Sequence, residues 1–217
     1  MERWLSRWGP LSGAVAGILI AVSIFSGSNT PNNNAPAGQV ARFYLQHATG
    51  QKASAIAGIL GMAFLVLFAV AMAGRVRAGH AGGGWLANGA IGGAAFAAAT
   101  FAPVIAFSWI LASDIKFLTA STVQTLNVLQ NDLFLPAIAG FFVFGVVAGL
   151  AAVVSKAPAR WMGWVLFVFG IGAAVPPLSW FALLGIFLWV LVAGVWLAVQ
   201  GTPRVRQSEP EVSLAHV

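Results

Sequence analysis

The chain of 217 residues is 59% hydrophobic and only 7% charged, and its formal net charge is +6. An ordinary soluble domain carries about a quarter charged residues, so this composition excludes a soluble fold. The eleven basic residues are scattered and never form a run, which argues against nucleic acid as a partner. Because cysteine is absent, disulfides, thiolate metal sites and cysteine nucleophiles are excluded as well.

Six apolar segments have the composition of membrane spans, although the first and the fifth are short. They cover residues 10–25, 53–73, 85–111, 133–154, 161–175 and 178–199. We predict an all-α, six-transmembrane-helix bundle over residues 1–200, followed by a disordered cytoplasmic tail at 201–217. Pro176 and Pro177 predict a tight turn between the last two spans, since each removes a backbone donor; the alternative is one long kinked element.

The basic residues fall mainly on one side of these six spans. Eight are on that side, namely Arg3, Arg7, Arg75, Arg77, Lys156, Arg160, Arg204 and Arg206, and three are on the other, namely Arg42, Lys52 and Lys116. The positive-inside rule then predicts that the N- and C-termini are cytoplasmic. Arginine-rich, alanine-rich usage is typical of GC-rich bacteria, so we predict a multi-pass protein of a bacterial plasma (inner) membrane. Signal-like cleavage near Ala35-Pro36-Ala37 is an alternative that would leave five spans.

Two long connections lie on the predicted outer side. The first, 28–52, begins with a polar, turn-rich stretch at 28–37, and its residues 39–52 then have apolar positions at helical spacing. This pattern predicts a loop followed by a short helix on the outer surface. The second connection, 112–132, is predicted to be partly helical, with Asp132 as the N-cap of the fourth span.

The polar residues that could bind a metal ion or take part in catalysis are also on the outer side. His47, Asp114, Lys116 and Asp132 form a candidate outer-face cluster. A histidine with two carboxylates can bind a divalent cation or act as acid and base; the alternative is that all four are solvated loop residues. No histidine falls within a predicted span, which argues against an intramembrane haem, and we predict no cofactor.

Small residues form a second pattern, at a spacing of four. Gly13, Gly17 and Ala21 lie along the first span, and Gly145 and Gly149 form a GxxxG on the fourth. Such stripes let helices approach closely. They predict packing within the bundle, with presentation of the first stripe to a partner protein as the alternative. On the third span, small residues leave room for a cavity lined by Phe96, Phe101 and Phe107 as an alternative to tight packing.

Three short stretches resemble uncharacterised multi-pass membrane proteins of GC-rich bacteria. They are Asn131-Asp132-Leu133-Phe134-Leu135-Pro136, Ala159-Arg160-Trp161-Met162-Gly163-Trp164 and Val175-Pro176-Pro177. This resemblance implies a six-helix membrane fold and no particular activity.

The architecture is also similar to the substrate-binding subunits of energy-coupling-factor vitamin transporters. That similarity implies that Gly13, Gly17 and Ala21 would dock a coupling subunit and that a ligand would bind under the first outer loop, 28–52.

Three functional hypotheses follow, in this order. The first is a non-enzymatic membrane subunit that packs against lipid, a membrane-protein partner or a second copy; it requires an exposed small-residue stripe and no cavity. The second is a small-molecule binding or uptake subunit with a largely apolar outward pocket, which requires a cavity near the outer loops. The third is an enzyme that uses Asp114, Asp132 and His47, which requires the two carboxylates to converge.

Overall fold

The computed structural model describes residues 8–79, 83–156 and 158–200, and every regular element within them is a helix. The α-helices are α1 (Leu11–Ser26), α2 (Ala37–Gly79), α3 (Gly84–Asp114), α4 (Ala120–Asp132), α5 (Phe134–Ser155), α6 (Arg160–Ala173) and α7 (Ser179–Gln200). A 3₁₀ turn, Ile115–Phe117, follows α3. The all-α prediction is therefore confirmed for these residues. The predicted tail at 201–217 lies outside them.

Each of the six predicted apolar segments falls almost entirely within one helix. By length and composition, four helical stretches are able to cross a membrane: Ala37–Gly79, Gly84–Phe117, Ala120–Ser155 and Ser179–Gln200. Leu11–Ser26 and Arg160–Ala173 are shorter apolar helices. This is the helix content of a membrane protein.

Six of the helices form a closed ring around one apolar core. The neighbours in order are α1, α2, α3, α5, α6 and α7, and α7 packs back against α1. The core between them consists mainly of alanine, leucine, methionine and phenylalanine side chains. The turn predicted at Pro176 and Pro177 connects α6 and α7, with the Leu178 amide donating to the Val175 carbonyl at 2.8 Å.

A cap covers one end of the ring. It consists of the loop 28–36, the first part of α2 up to residue 46, and α4. Helix α2 bends at His47, where φ is −113° and ψ is 16°, so the short helix predicted at 39–52 is continuous with the second apolar segment across a kink. A separate apolar cluster that includes Val40, Tyr44, Leu111 and Val123 holds the cap together.

Glycines bring the ring helices together, both near the cap and at the opposite end, which we call the far end. A Cβ on Gly149 of α5 would lie 2.6 Å from the Phe167 amide nitrogen of α6, and one on Gly145 would lie 2.5 Å from the Gly170 Cα. On α1, a Cβ on Gly13 or Gly17 would lie 2.5 Å from a side-chain carbon of Phe68 or Leu191, respectively. Ala21 is partly buried on the same helix.

The glycines of the first stripe therefore pack within this chain. Gly13 and Gly17 are buried between α1, α2 and α7, and a buried backbone surface is not accessible to another protein. Such packing is expected between apolar helices, because close van der Waals contact is a main source of helix association in apolar surroundings.

Candidate functional site

The loop of the cap is held by amide side chains that project from α4. Positions 124, 127 and 131 lie on one face of a helix because they are three and four residues apart. The three side chains donate hydrogen bonds to the backbone carbonyls of three consecutive loop residues. Gln124 Nε2 donates to Asn33 at 2.9 Å, Asn127 Nδ2 to Asn32 at 3.1 Å and Asn131 Nδ2 to Pro31 at 3.1 Å. The loop thus has partners for its backbone carbonyls and takes a defined path across the bundle.

A cavity of about 260 Å³ lies beneath this loop, at the cap end of the ring. Its walls come from α1, α2, α3, α4, α5 and α7. The cap side is polar, with Ser28, Asn29, Thr30, Gln51, Ser54, Ser108 and Gln130, and the deeper side is apolar, with Ile20, Met62, Phe101, Phe134, Phe141, Leu183 and Phe187 among its residues. The cavity therefore has a polar roof and an apolar, aromatic floor.

Two buried glutamines define the chemistry of the roof. Gln51 and Gln130 are only 3% and 6% exposed. Gln51 donates through Nε2 to the Ser28 carbonyl at 2.8 Å, and Gln130 accepts through Oε1 from the Tyr44 hydroxyl at 2.7 Å. These bonds fix the orientation of both amides. Within the residues that the structure describes, Gln51 Oε1 and Gln130 Nε2 have no hydrogen-bond partner and are not among the fully buried unpaired atoms, so both are open to the cavity that their residues line.

Tyr44 holds Gln130 in place from the cap side. Burial raises the pKa of Tyr44 to about 12, against lesser opposing effects of hydrogen bonds with Gln130 and Ser108. The hydroxyl is therefore neutral at any physiological pH and remains a donor to Gln130. As a result, the free Nε2 group of Gln130 is a hydrogen-bond donor toward the cavity.

The mouth of the cavity has two different sides. Among the lining residues, Ser28, Asn29 and Trp180 are exposed, so the mouth lies between the loop and the start of α7. The Trp180 ring is 6.5 Å from the Phe134 ring, which in turn is 6.0 Å from the Phe101 ring. A polar edge thus faces an aromatic edge that continues into the floor.

The predicted outer-face cluster does not build this site. His47 Nδ1 is 2.9 Å from the Phe43 carbonyl, and its ring stacks on that of Phe43 with centroids 4.7 Å apart. Asp114, at the end of α3, and Lys116, in the 3₁₀ turn that follows, are exposed. None of the four residues lines the cavity, and the described part of the chain contains no group of three or more metal-ligating side chains.

Asp132 has a role other than the predicted helix cap. It is the last residue of α4, and α5 begins at Phe134 with Leu133 at the N-cap and no side-chain cap bond. The Asp132 carboxylate instead accepts from Asn33 Nδ2 at 2.8 Å. The N-cap prediction was wrong because the polar loop offers this carboxylate a side-chain donor.

The phenylalanine cavity expected along the third span is present only in part. Phe101 lines the observed cavity, whereas Phe107 does not and Phe96 is 48% exposed. The residues missed from the sequence are Gln51, Gln130 and Trp180. The amides of α4 did carry a signal, because a polar face at helical spacing within so apolar a chain requires a polar partner.

Comparison with models of protein families, with curated proteins and with solved structures finds no match for this chain. What the protein does therefore has to follow from its own residues.

Proposed function

We propose that the chain is a multi-pass protein of a bacterial plasma membrane, with six spans, cytoplasmic termini and the cap outside. The ring helices carry large exposed apolar side chains, such as Ile56, Leu67, Val168 and Leu188, where lipid would contact them. The basic residues Arg75, Arg77, Lys156 and Arg160 lie at or next to helix ends opposite the cap, as expected for a cytoplasmic surface.

The same proposal assigns the cavity at the cap end to the binding of a small molecule. The observation that carries it is the concave space of about 260 Å³ beneath a loop that is held by hydrogen bonds from three amide side chains. Ligand pockets are typically concave and mostly apolar, with a few convergent polar groups. The burial of Gly13 and Gly17 weighs against the first of the three hypotheses, a membrane subunit that packs against a partner through an exposed small-residue stripe.

A binding role is favoured over catalysis by the composition of the lining. In the part of the chain that the structure describes, the lining residues include no histidine, carboxylate or lysine, and general acid–base chemistry most often uses such groups. Serine hydroxyls are present, but Ser23 and Ser54 are engaged with each other's backbone carbonyls at 2.9 and 2.7 Å. The geometry thus suits a binding or uptake protein.

Native mass spectrometry of protein gently extracted from its own host tests this proposal with two matched variants. Asn29 and Asn34 are both exposed asparagines of the same loop without a side-chain hydrogen bond among the described residues, but only Asn29 lines the cavity. Asn29→Trp should narrow the mouth, whereas Asn34→Trp adds the same bulk elsewhere.

We expect the native protein and Asn34→Trp to retain a stoichiometric small molecule that Asn29→Trp loses. Equal retention by both variants would place the molecule outside the cavity and contradict the proposal. A native protein that retains nothing would count against it in the same way.

A further inference from the structure

We infer that the cavity selects an uncharged amphiphile whose head group offers both a hydrogen-bond donor and an acceptor, as a primary carboxamide does, on a compact apolar body. This inference rests on the proposed binding function and gives it a ligand class. It follows from the charge of the lining, the two glutamines of the roof and the aromatic floor.

The lining excludes charged ligands. None of the described residues around the cavity is acidic, basic or histidine. An ion that enters such a space loses its hydration and gains no counter-charge, which is strongly unfavourable. A ligand that binds deeply is therefore neutral at the head and along the body.

The roof requires both a donor and an acceptor from the ligand. Gln51 presents an acceptor, Oε1, because its Nε2 is bonded to the Ser28 carbonyl. Gln130 presents a donor, Nε2, because its Oε1 is bonded to the Tyr44 hydroxyl. Both atoms belong to residues that line the cavity, and a head group with one N–H or O–H and one carbonyl or hydroxyl oxygen would pair both.

The floor provides room for a compact apolar body. The Phe141 ring is edge-to-face with Phe187 at 5.2 Å and with Phe101 at 6.4 Å, and Met62 and Leu183 complete this apolar surface. Aromatic or branched aliphatic groups pack favourably on such rings. A volume of about 260 Å³ is just below the usual range for drug-sized ligands, so the ligand is small and binds with its head toward the cap.

Three probes of one shape test the ligand class. 4-Phenylbutanamide has the proposed head, 4-phenylbutanoate replaces it with an anion, and butylbenzene has no polar head. Their affinities are measured by isothermal titration calorimetry on the full chain in lipid nanodiscs. We expect the amide to bind about tenfold more tightly than butylbenzene, in keeping with the usual energy of a hydrogen bond, and the anion to bind more weakly than either.

Variants of the two glutamines separate head-group recognition from a general loss of structure. Gln51→Leu and Gln130→Leu should each weaken the binding of the amide about tenfold and leave the affinity for butylbenzene unchanged. Unchanged binding of the hydrocarbon would show that the cavity is intact. Gln46→Leu is the matched control, because Gln46 is an exposed glutamine of α2 outside the lining. It should change neither affinity.

The possible failures are distinguishable. Equal binding of the amide and butylbenzene, tighter binding of the anion, or glutamine variants without effect on the amide would overturn the ligand class and leave the binding function in place. If no probe binds while the native protein retains a molecule from its host, the ligand class is again overturned. If no probe binds and nothing is retained, the binding function fails as well.

Discussion

The two ends of the ring are built by different means. At the far end, helices touch through glycines such as Gly149 and Gly163, with backbone atoms too close to admit a side chain. At the cap end, amide side chains hold a loop over an open space. Close glycine contacts also occur nearer the cap, as between Gly140 and Ala97, but the loop over the cavity is held by side-chain hydrogen bonds, which can be broken one at a time.

The largest expected effect comes from filling a glycine contact at the far end. Gly149→Leu should destabilise the bundle by about 3 kcal/mol or more, because its side chain would meet the α6 backbone. The measurement is thermal unfolding in detergent together with the monodisperse fraction on size exclusion. Gly92→Leu is the control, since a Cβ on Gly92 meets nothing within 4 Å. Equal stability of the two variants would show that the far end is not tightly packed.

The titration of Tyr44 probes the interior of the cap. The folded pKa of about 12 exceeds the ordinary value of 10.0, so the neutral phenol stabilises the fold fully below pH 10. This contribution, about 2–3 kcal/mol at 1.36 kcal/mol per pKa unit, is lost as the pH rises from 10 to 12. Ultraviolet difference absorbance reports Tyr44 alone because it is the only tyrosine.

The matched variant for this titration is Tyr44→Phe, which should abolish both the absorbance change and the loss of stability in that pH window. A hydroxyl that ionises near pH 10 in the folded protein would mean that the cap interior is open to water.

A weaker effect is expected from the hydrogen bonds that hold the loop. Asn131→Ala removes the donor to the Pro31 carbonyl and to Asn33 Oδ1. The loss of these hydrogen bonds should destabilise the closed position of the loop by about 1–2 kcal/mol. Hydrogen–deuterium exchange of residues 28–36 should therefore accelerate about tenfold or more while the melting temperature of the ring changes little. Asn34→Ala, at an exposed position, should change neither. Unchanged exchange in Asn131→Ala would show that the hydrogen bonds from α4 do not hold the loop in place.

The smallest effect concerns a strained residue at the far end. Lys156, after α5, has φ of 59° and ψ of 23°, in the left-handed region that glycine adopts without steric penalty. Lys156→Gly should therefore raise the free energy of unfolding by about 0.5–1 kcal/mol, as measured by thermal unfolding. Lys116→Gly, within the 3₁₀ turn, should lower stability instead. Destabilisation by Lys156→Gly would mean that the side chain contributes more than the strain costs.

The sequence predicts the helices far better than the site. The length of the apolar runs alone locates the six segments, because a helix that crosses a membrane needs a long and predominantly apolar sequence. It does not reveal that α2 runs on through His47 into the cap, since a polar stretch with helical spacing also suits a separate surface helix. The Asp132 prediction failed for a related reason, as local spacing cannot identify a partner as distant as Asn33.

The cavity could not be predicted, because an empty volume depends on how several helices fail to fill the space between them. Gln51 and Gln130 are far apart in the sequence and come to line the same cavity only in the folded chain. Of the three phenylalanines singled out on the third span, only Phe101 faces this space. Small-residue spacing therefore identifies where helices approach, and not where they leave room.

Thiol accessibility tests the central claim most directly, because the chain has no cysteine of its own. Ser108→Cys places a thiol in the cavity wall, and Ala148→Cys places one in the fully buried core of α5. With a small neutral maleimide, on protein in nanodiscs, we expect rapid modification at position 108, no modification at position 148, and slower modification at 108 when Asn29→Trp is added. Equal protection of both positions, or a rate at 108 that Asn29→Trp does not change, would contradict a cavity that opens at the cap.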